Sequence, residues 1–471
     1  MAGIMAYGGY LPAHRIRRSR IGEALGTRPA TGSRTVASYD EDTTTMGAEA
    51  ARVALHGLPG PEEVRSLYFA TADPVYLDRS NAAAIHAVLS LDPSVPAVDM
   101  GGAVRSGVGA LRAGLHAGPP TLVVLSDIRA GLPGGADERD GGDGAAALVV
   151  GADGEVVAEW IGDAARTEEF LSRWREPGER HSRHWEDRFV EEVHVPAGRQ
   201  VLEEALKSAG LTAADVDHLV VTGASRRIAA AVRAAAGVEE HAAADDLLDS
   251  VGETGTAHPA LRLAAILDRA GPGEVIALVA LTEGADALLF RTTDLLARRR
   301  SAWPTAAQIE HSSDDLSYAA YATWRGFLPR EPMRRPLPPQ LAAPAARRIG
   351  AWKLGLVGSR CLACDTRHLP PQRVCGACRA LDQMRPDPVA GMPATVSIAT
   401  VDRLAWSPNP PLIYGTVDFD GGGRLQCEFT DTLPDGARTG LRVRMAVRRT
   451  HSRDGVHNYY WKARPERGEQ Y

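Results

Sequence analysis

The chain has 471 residues, 44% hydrophobic and 24% charged; this excludes a disordered or fibrous chain and leaves room for two or three domains. No apolar run approaches the roughly 18 residues of a membrane-spanning helix, and the opening Ala2, Gly3, Ile4 lacks the basic-then-apolar pattern of a secretion signal, so a cytoplasmic protein is expected. Residues 301–471 carry +7, which leaves −13 for residues 1–300 out of the net −6. The basic part suits an anionic partner: a phosphate-bearing cofactor, a nucleic acid, or the acidic part itself.

In chain order, short apolar runs at 67–70, 121–125, 145–150, 219–221 and 275–281 read as strands. Amphipathic segments at 43–55, 107–117, 202–209, 225–236 and 260–270 read as helices. The alternation predicts an α/β body with a largely parallel sheet covered on both faces. A repeat sharpens this. The helix at 107–117 leads to Gly118-Pro119, a strand, and then Gly142-Asp143-Gly144-Ala145 opening another strand; the helix at 260–270 leads to Gly271-Pro272, a strand, and then Glu283-Gly284-Ala285 opening another. Two similar halves are expected.

Residues 297–350 form a linker by composition, since Pro329, Pro332, Pro336, Pro338, Pro339 and Pro344 exclude a long helix or central strand; one short helix fits at 314–324. Beyond residue 386 the pattern turns to β, with strands expected at 394–401, 412–419, 425–429 and 442–448 in a small barrel.

All five cysteines, Cys361, Cys364, Cys375, Cys378 and Cys427, lie past residue 360. No disulfide framework and no thiol chemistry can come from the first three-quarters of the chain. Cys361-Leu362-Ala363-Cys364 and Cys375-Gly376-Ala377-Cys378 are two C-x2-C knuckles, the spacing that places four thiolates around one tetrahedral zinc ion. With four protein ligands the site is structural. A rubredoxin-like iron centre uses the same ligands. His368 reads as a surface residue, and Cys427 as a small buried apolar one.

The knuckles, the barrel behind them and the preceding stretch 324–344 (WRGFLPREPMRRPLPPQLAAP) resemble the rubredoxin-like zinc ribbon plus OB-fold family found beside thiolases, over residues 314–465. That resemblance implies a companion domain of thiolase-fold enzymes handling acyl-CoA. Residues 1–293 resemble the thiolase superfamily, and within it the hydroxymethylglutaryl-CoA (HMG-CoA) synthases of prokaryotic type. The resemblance is carried by Gly3 to Pro12 (GIMAYGGYLP), by Tyr39-Asp40-Glu41-Asp42 leading into 46–52, by Gly142-Asp143-Gly144-Ala145, and by Val251-Gly252-Glu253-Thr254-Gly255. It implies a duplicated, layered α-β-α-β-α thiolase-like fold at 1–296, then the linker at 297–350, a zinc ribbon at 351–385 and an all-β OB-fold barrel at 386–471. A homodimer, or a mixed assembly with an active thiolase, also follows from it.

Such enzymes use a cysteine nucleophile at the head of a central helix, an activating histidine, and a further Glu, His or Asn. Here the position matching the nucleophile is Val104, the stretch matching the histidine reads Val220-Val221-Thr222-Gly223, and the one matching Asn reads Gly252-Glu253. Of the substitutes, Ser106 reads as a helix cap, and His258 is the candidate general base. His181, His184, Trp185 and His194, with Glu186, Asp187, Glu191 and Glu192, read as a solvated helical insertion rather than a metal site.

Three functions are weighed. The first is an acyl-CoA-associated pseudoenzyme, companion or scaffold of an active thiolase or ketosynthase, with Arg360, Arg367 and Arg373 available to coenzyme A phosphates. The second is an autonomous acyltransferase or carbon–carbon lyase of non-cysteine mechanism, its proton carried by His258. The third is a nucleic-acid binder stacking bases on Trp406, Tyr414, Phe419, Tyr459, Tyr460 and Trp461; the acidic body weighs against it. The sequence favours the first.

Overall fold

The computed structural model describes residues 2–152, 154–334, 336–339 and 341–466. Two compact units are present. The first comprises Met1–Ala37, Met46–Ala83 and Leu91–Leu316; the second comprises Ser38–Thr45, Ala84–Ser90 and Ser317–Tyr471.

The first unit contains strands β1 (Gly3–Tyr10), β2 (His14–Arg17), β3 (Ser33–Val36), β4 (Ser66–Ala70), β5 (Ala97–Asp99), β6 (Thr121–Asp127) and β7 (Gly144–Gly151), followed by β8 (Ala158–Thr167), β9 (Arg173–Trp174), β10 (Arg183–His184), β11 (His218–Thr222), β12 (Val275–Thr282) and β13 (Gly284–Thr292). Nine of them form one sheet in the order β11-β12-β13-β8-β1-β7-β6-β4-β5. The apolar runs of β6, β7 and β12 are almost wholly buried, as strands covered on both faces must be.

The expected repeat is visible in the pairing. β1 pairs antiparallel with β7, β7 antiparallel with β6, and β6 parallel with β4; β8 pairs antiparallel with β13, β13 antiparallel with β12, and β12 parallel with β11. The halves meet where β1 pairs antiparallel with β8. The sheet is therefore mixed, not largely parallel. Glu283 alone separates β12 from β13, and so short a connection can only return the chain antiparallel.

The helices Ser106–Ala117 and His258–Leu267 share one core with strands of both halves, where Val108, Leu111, Leu261 and Ile266 meet Val123, Leu148, Leu278 and Leu288. The helices Asp187–Ser208 and Arg226–Ala235 cover the second half through Val201, Leu202, Ile228 and Val232, packed on Val221, Val279 and Leu289. The first of these begins fifteen residues ahead of the expected 202. It continues through Pro196, which a periodicity reading takes as a break.

In the second unit, β14 (Val357–Cys361), β15 (Arg367–His368) and β16 (Met384–Pro388) form a small antiparallel sheet. A five-stranded antiparallel sheet follows, ordered β19-β18-β17-β20-β21, from β17 (Ala394–Asp402), β18 (Leu412–Phe419), β19 (Arg424–Glu428), β20 (Arg442–Arg453) and β21 (Val456–Pro465). A bridge between Phe429 and Ala463 brings the end of β19 to β21 and closes the sheet on itself. Among the described residues, the proline-rich stretch holds the short helices Thr305–Glu310, Tyr318–Trp324 and Ala343–Arg348, and Gly350–Gly355 follows at its end.

The segment Ser38–Thr45 lies in this unit with its acids buried. Asp40 accepts from Lys462 Nζ at 2.9 Å, Glu41 pairs with Arg448 at 3.3 Å, and Asp42 accepts from the Tyr459 hydroxyl at 2.9 Å. Asp431 completes the shell of Arg448 at 2.7 Å, and Glu428 that of Lys462 at 2.8 Å.

Candidate functional site

A cavity of about 1000 Å³ opens in the first unit. Its wall is built from the segments that follow β4, β6, β11 and β12, from the head of the helix Ser106–Ala117, and from the hairpin β9–β10. Strand ends and a helix N-terminus converge there because β4 and β6, and again β11 and β12, run parallel and end together.

Asp127, at the end of β6, pins the segment after β4 and the turn Gly255–Ala257. Its Oδ1 accepts from Thr71 Oγ1 (2.9 Å) and the Ala72 amide (2.7 Å), and its Oδ2 from the Thr256 amide and hydroxyl (both 2.7 Å). The carboxylate is 1% exposed and fully bonded, so it positions backbone rather than reacting. The hairpin is fastened by Arg173, which donates to both oxygens of Asp137 at 3.0 and 2.5 Å. Burial pushes the Asp137 carboxyl up, yet the Arg173 hydrogen bond and the charge of Arg129 hold it below its ordinary value.

Gly101 to Val104 line the cavity ahead of the helix. Val104 is thus an apolar side chain at the head of the central helix. Ser106 is the first helical residue and not its cap; its hydroxyl donates to the Gly101 carbonyl at 3.2 Å. His258 stands outside the cavity wall and is 2% exposed, its Nδ1 facing the Thr254 hydroxyl at 3.2 Å. Burial, with the charge of Arg262, lowers its pKa to about 3.

The expected solvated histidine cluster divides. His184 is exposed on β10, whereas His194 is 1% exposed on the helix Asp187–Ser208, with Nε2 2.9 Å from the Thr282 carbonyl; both line the cavity. The acid-rich sequence suggested a solvated surface. The signal for His194 was its spacing, since positions 190, 194, 197 and 201 lie on one helical face and are all buried.

In the second unit, Cys361, Cys364, Cys375 and Cys378 bring their sulfurs within 4.8 Å of one another, with Cys361–Cys378 at 3.7 Å and Cys364–Cys375 at 3.5 Å. A tetrahedron of thiolates at ~2.3 Å from zinc has sulfurs ~3.8 Å apart, so the set fits the ion. The four cysteines are positioned to supply all four places of a tetrahedral ion. Cys427 is buried, and burial pushes its thiol up to about 12.

The arginines proposed for phosphates are engaged. Arg367 is 7% exposed and donates to Asp387 at 2.6 Å and to the Asp420 carbonyl at 3.0 Å; Arg360 donates to Asp387 at 3.1 Å; Arg373 pairs with Asp382. Of the barrel aromatics, Phe419, Tyr459 and Trp461 are core residues, and only Trp406 and Tyr414 are well exposed. The six named aromatics therefore present no continuous exposed row.

Comparison with known proteins agrees with this architecture. Residues 206–291 match the family described as 3-oxoacyl-[acyl-carrier-protein] synthase III C terminal, residues 354–382 the ChsH2 rubredoxin-like zinc ribbon domain, and residues 388–448 the ChsH2 C-terminal OB-fold domain. The chain is 29% identical over 347 residues to a hydroxymethylglutaryl-CoA synthase of Methanothermobacter thermautotrophicus, covering 70% of this chain and 99% of that protein. It is likewise 29% identical over 338 residues to that of Pyrococcus furiosus, covering 69% and 95%. Among solved structures, an HMG-CoA synthase complexed with CoA matches with a TM-score of 0.59 at 17% identity over 68% of this chain and 89% of that one. The 3-oxoacyl-[acyl-carrier-protein] synthase III of Aquifex aeolicus matches with 0.54 at 21% over 62% and 100%.

Proposed function

We propose that this chain, a thiolase-like body similar to HMG-CoA synthases followed by zinc ribbon and OB-fold domains of the ChsH2 kind, binds an acyl-CoA thioester in the first-unit cavity without forming an acyl-enzyme, and serves as companion to a separate thiolase or ketosynthase. The observation that carries this reading is the head of the helix Ser106–Ala117. The cavity and helix N-terminus that suit a nucleophile are kept, Val104 stands at that place, and residues 1–360 hold no cysteine.

The relatives named as HMG-CoA synthases support the thioester as ligand. The autonomous reading is weaker, because its candidate base His258 is buried and does not line the cavity. The zinc-loaded chain should bind acetyl-CoA by calorimetry with no product by mass spectrometry, and should raise the turnover of a co-purified thiolase. Equal thiolase activity with and without this chain would refute the companion role; turnover by the chain alone would refute the missing-nucleophile argument.

A further inference from the structure

His194 donates from Nε2 to the Thr282 carbonyl, an atom that can only accept. The tautomer is thereby set: Nε2 carries the hydrogen, and Nδ1 is a bare acceptor. That nitrogen is buried and has no partner among the described residues. Three hydroxyls nearby in the fold share its condition, Thr282 Oγ1, Ser225 Oγ and Thr222 Oγ1.

The backbone gathers them. β11 and β12 run parallel with Thr222 opposite Ala280, and Gly223 (φ +79°) then lies so close to β12 that a Cβ there would stand 1.8 Å from the Leu281 carbonyl oxygen. This approach brings the turn that carries Ser225 against the strand end that carries Thr282. His194, Ser225 and Thr282 all line the cavity. Burial lowers the His194 pKa from its ordinary value, which favours the neutral ring that the tautomer requires. Buried polar atoms are costly without partners. One bare acceptor beside unengaged hydroxyls is complementary to a group that both gives and takes a hydrogen bond.

We infer that His194, Ser225 and Thr282 form a recognition site for an uncharged group presenting an O–H or N–H. Its hydrogen goes to His194 Nδ1, and its oxygen receives a hydroxyl hydrogen from Ser225 or Thr282. The identity of the ligand rests on the acyl-CoA reading; the site itself does not. Within that reading the group is either a hydroxyl on the acyl chain or an amide of the pantetheine arm that carries it.

Calorimetric titration of the full chain with butyryl-CoA and 3-hydroxybutyryl-CoA separates the two sources. If the acyl hydroxyl is read, the wild type prefers the hydroxy compound about tenfold, and His194→Phe and Thr282→Val abolish the preference. If the arm is read, both thioesters bind alike and both weaken about tenfold in His194→Phe. A folded His194→Phe protein that binds both as the wild type does overturns the site.

Should His194→Phe fail to fold, ring-nitrogen NMR of the wild type gives the answer. The His194 Nδ1 resonance should shift on addition of 3-hydroxybutyryl-CoA or free pantetheine, and an unmoved resonance with both overturns the proposal. A shift with pantetheine in a protein that binds no CoA thioester would sink the acyl-CoA reading and leave the site standing.

Discussion

Asp40 shows how single side chains decide the stability of the second unit. Lys462 and Arg448 are 1% and 0% exposed, and their charges are tolerated in the interior because Asp40, Glu41, Glu428 and Asp431 surround them. Asp40→Asn removes one of these charges at nearly constant shape and should cost about 3–5 kcal/mol in denaturant unfolding; a loss under about 1 kcal/mol would place the pair with surface bridges instead. The pH dependence has a definite sign. Burial pushes the Asp40 carboxyl up, but the charges of Lys462 and Arg448 outweigh it and its folded pKa lies below the ordinary value. Its contribution is therefore complete above the unfolded pKa of about 3.9 and is lost as pH falls through the folded one. Acid titration of stability should be flatter in Asp40→Asn than in the wild type. Val104 carries a second prediction at this scale. A thiol placed there by Val104→Cys sits at a helix N-terminus, where its pKa is lowered, and iodoacetamide should modify it well before Cys427, whose thiol is pushed up to about 12. Peptide mapping after timed labelling reads the order, and prior modification of Cys427 would mean that the cavity does not admit reagents.

At the scale of elements, the zinc ribbon was the most legible part of the chain, because four ligands at fixed spacing carry their own geometry. The strands β14, β15 and β16 are short, and the sulfurs of the knuckles converge beside them. Metal binding should therefore supply much of their folding free energy. Removing the ion with a chelator should strip amide-exchange protection from 357–388 and leave β6 and β12 protected; Cys375→Ser should lose bound zinc by elemental analysis. Retained protection in the metal-free protein would show that the ribbon folds without the ion. The α/β repeat was legible for a similar reason: Gly-Pro turns and acid-Gly-Ala turns recur at matching offsets, and the pairing of β4, β6, β7 with β11, β12, β13 reproduces them. What stayed hidden were elements with no periodic signature. β1, with its four glycines and alanines between apolar residues, is a central strand buried along its whole length. The hairpin β9–β10 has two residues per strand and is held by Arg173 and Asp137 rather than by apolar pattern. His194 was misplaced because charge on its neighbours masked the one face of the helix that is buried.

On the scale of the whole molecule, the basic and acidic parts of the sequence do not coincide with its compact units. The second unit takes in Ser38–Thr45 and Ala84–Ser90 from within the acidic part, and nothing along the chain links residue 40 to residue 448, since that proximity arises from tertiary structure alone. The acidic run Asp40-Glu41-Asp42 can be read as a family resemblance, yet its electrostatic meaning comes from the cations of β20 and β21. A consequence follows for dissection of the chain. A fragment of residues 317–471 keeps the zinc knuckles, the barrel strands and two of the four acids around Arg448 and Lys462, namely Asp431 and Glu428. It lacks Asp40 and Glu41, and Tyr459 loses Asp42 as acceptor. Two buried cations would then share fewer counter-charges, a state that is strongly destabilising in a low-dielectric interior. The fragment should bind zinc as the full chain does, while amides of β20 and β21 exchange faster than in the full chain. Substituting Lys462→Met in the fragment should recover part of that protection, because an apolar side chain of similar length needs no partner. Protection in the fragment equal to that of the full chain would mean that the acidic segment is dispensable for the barrel.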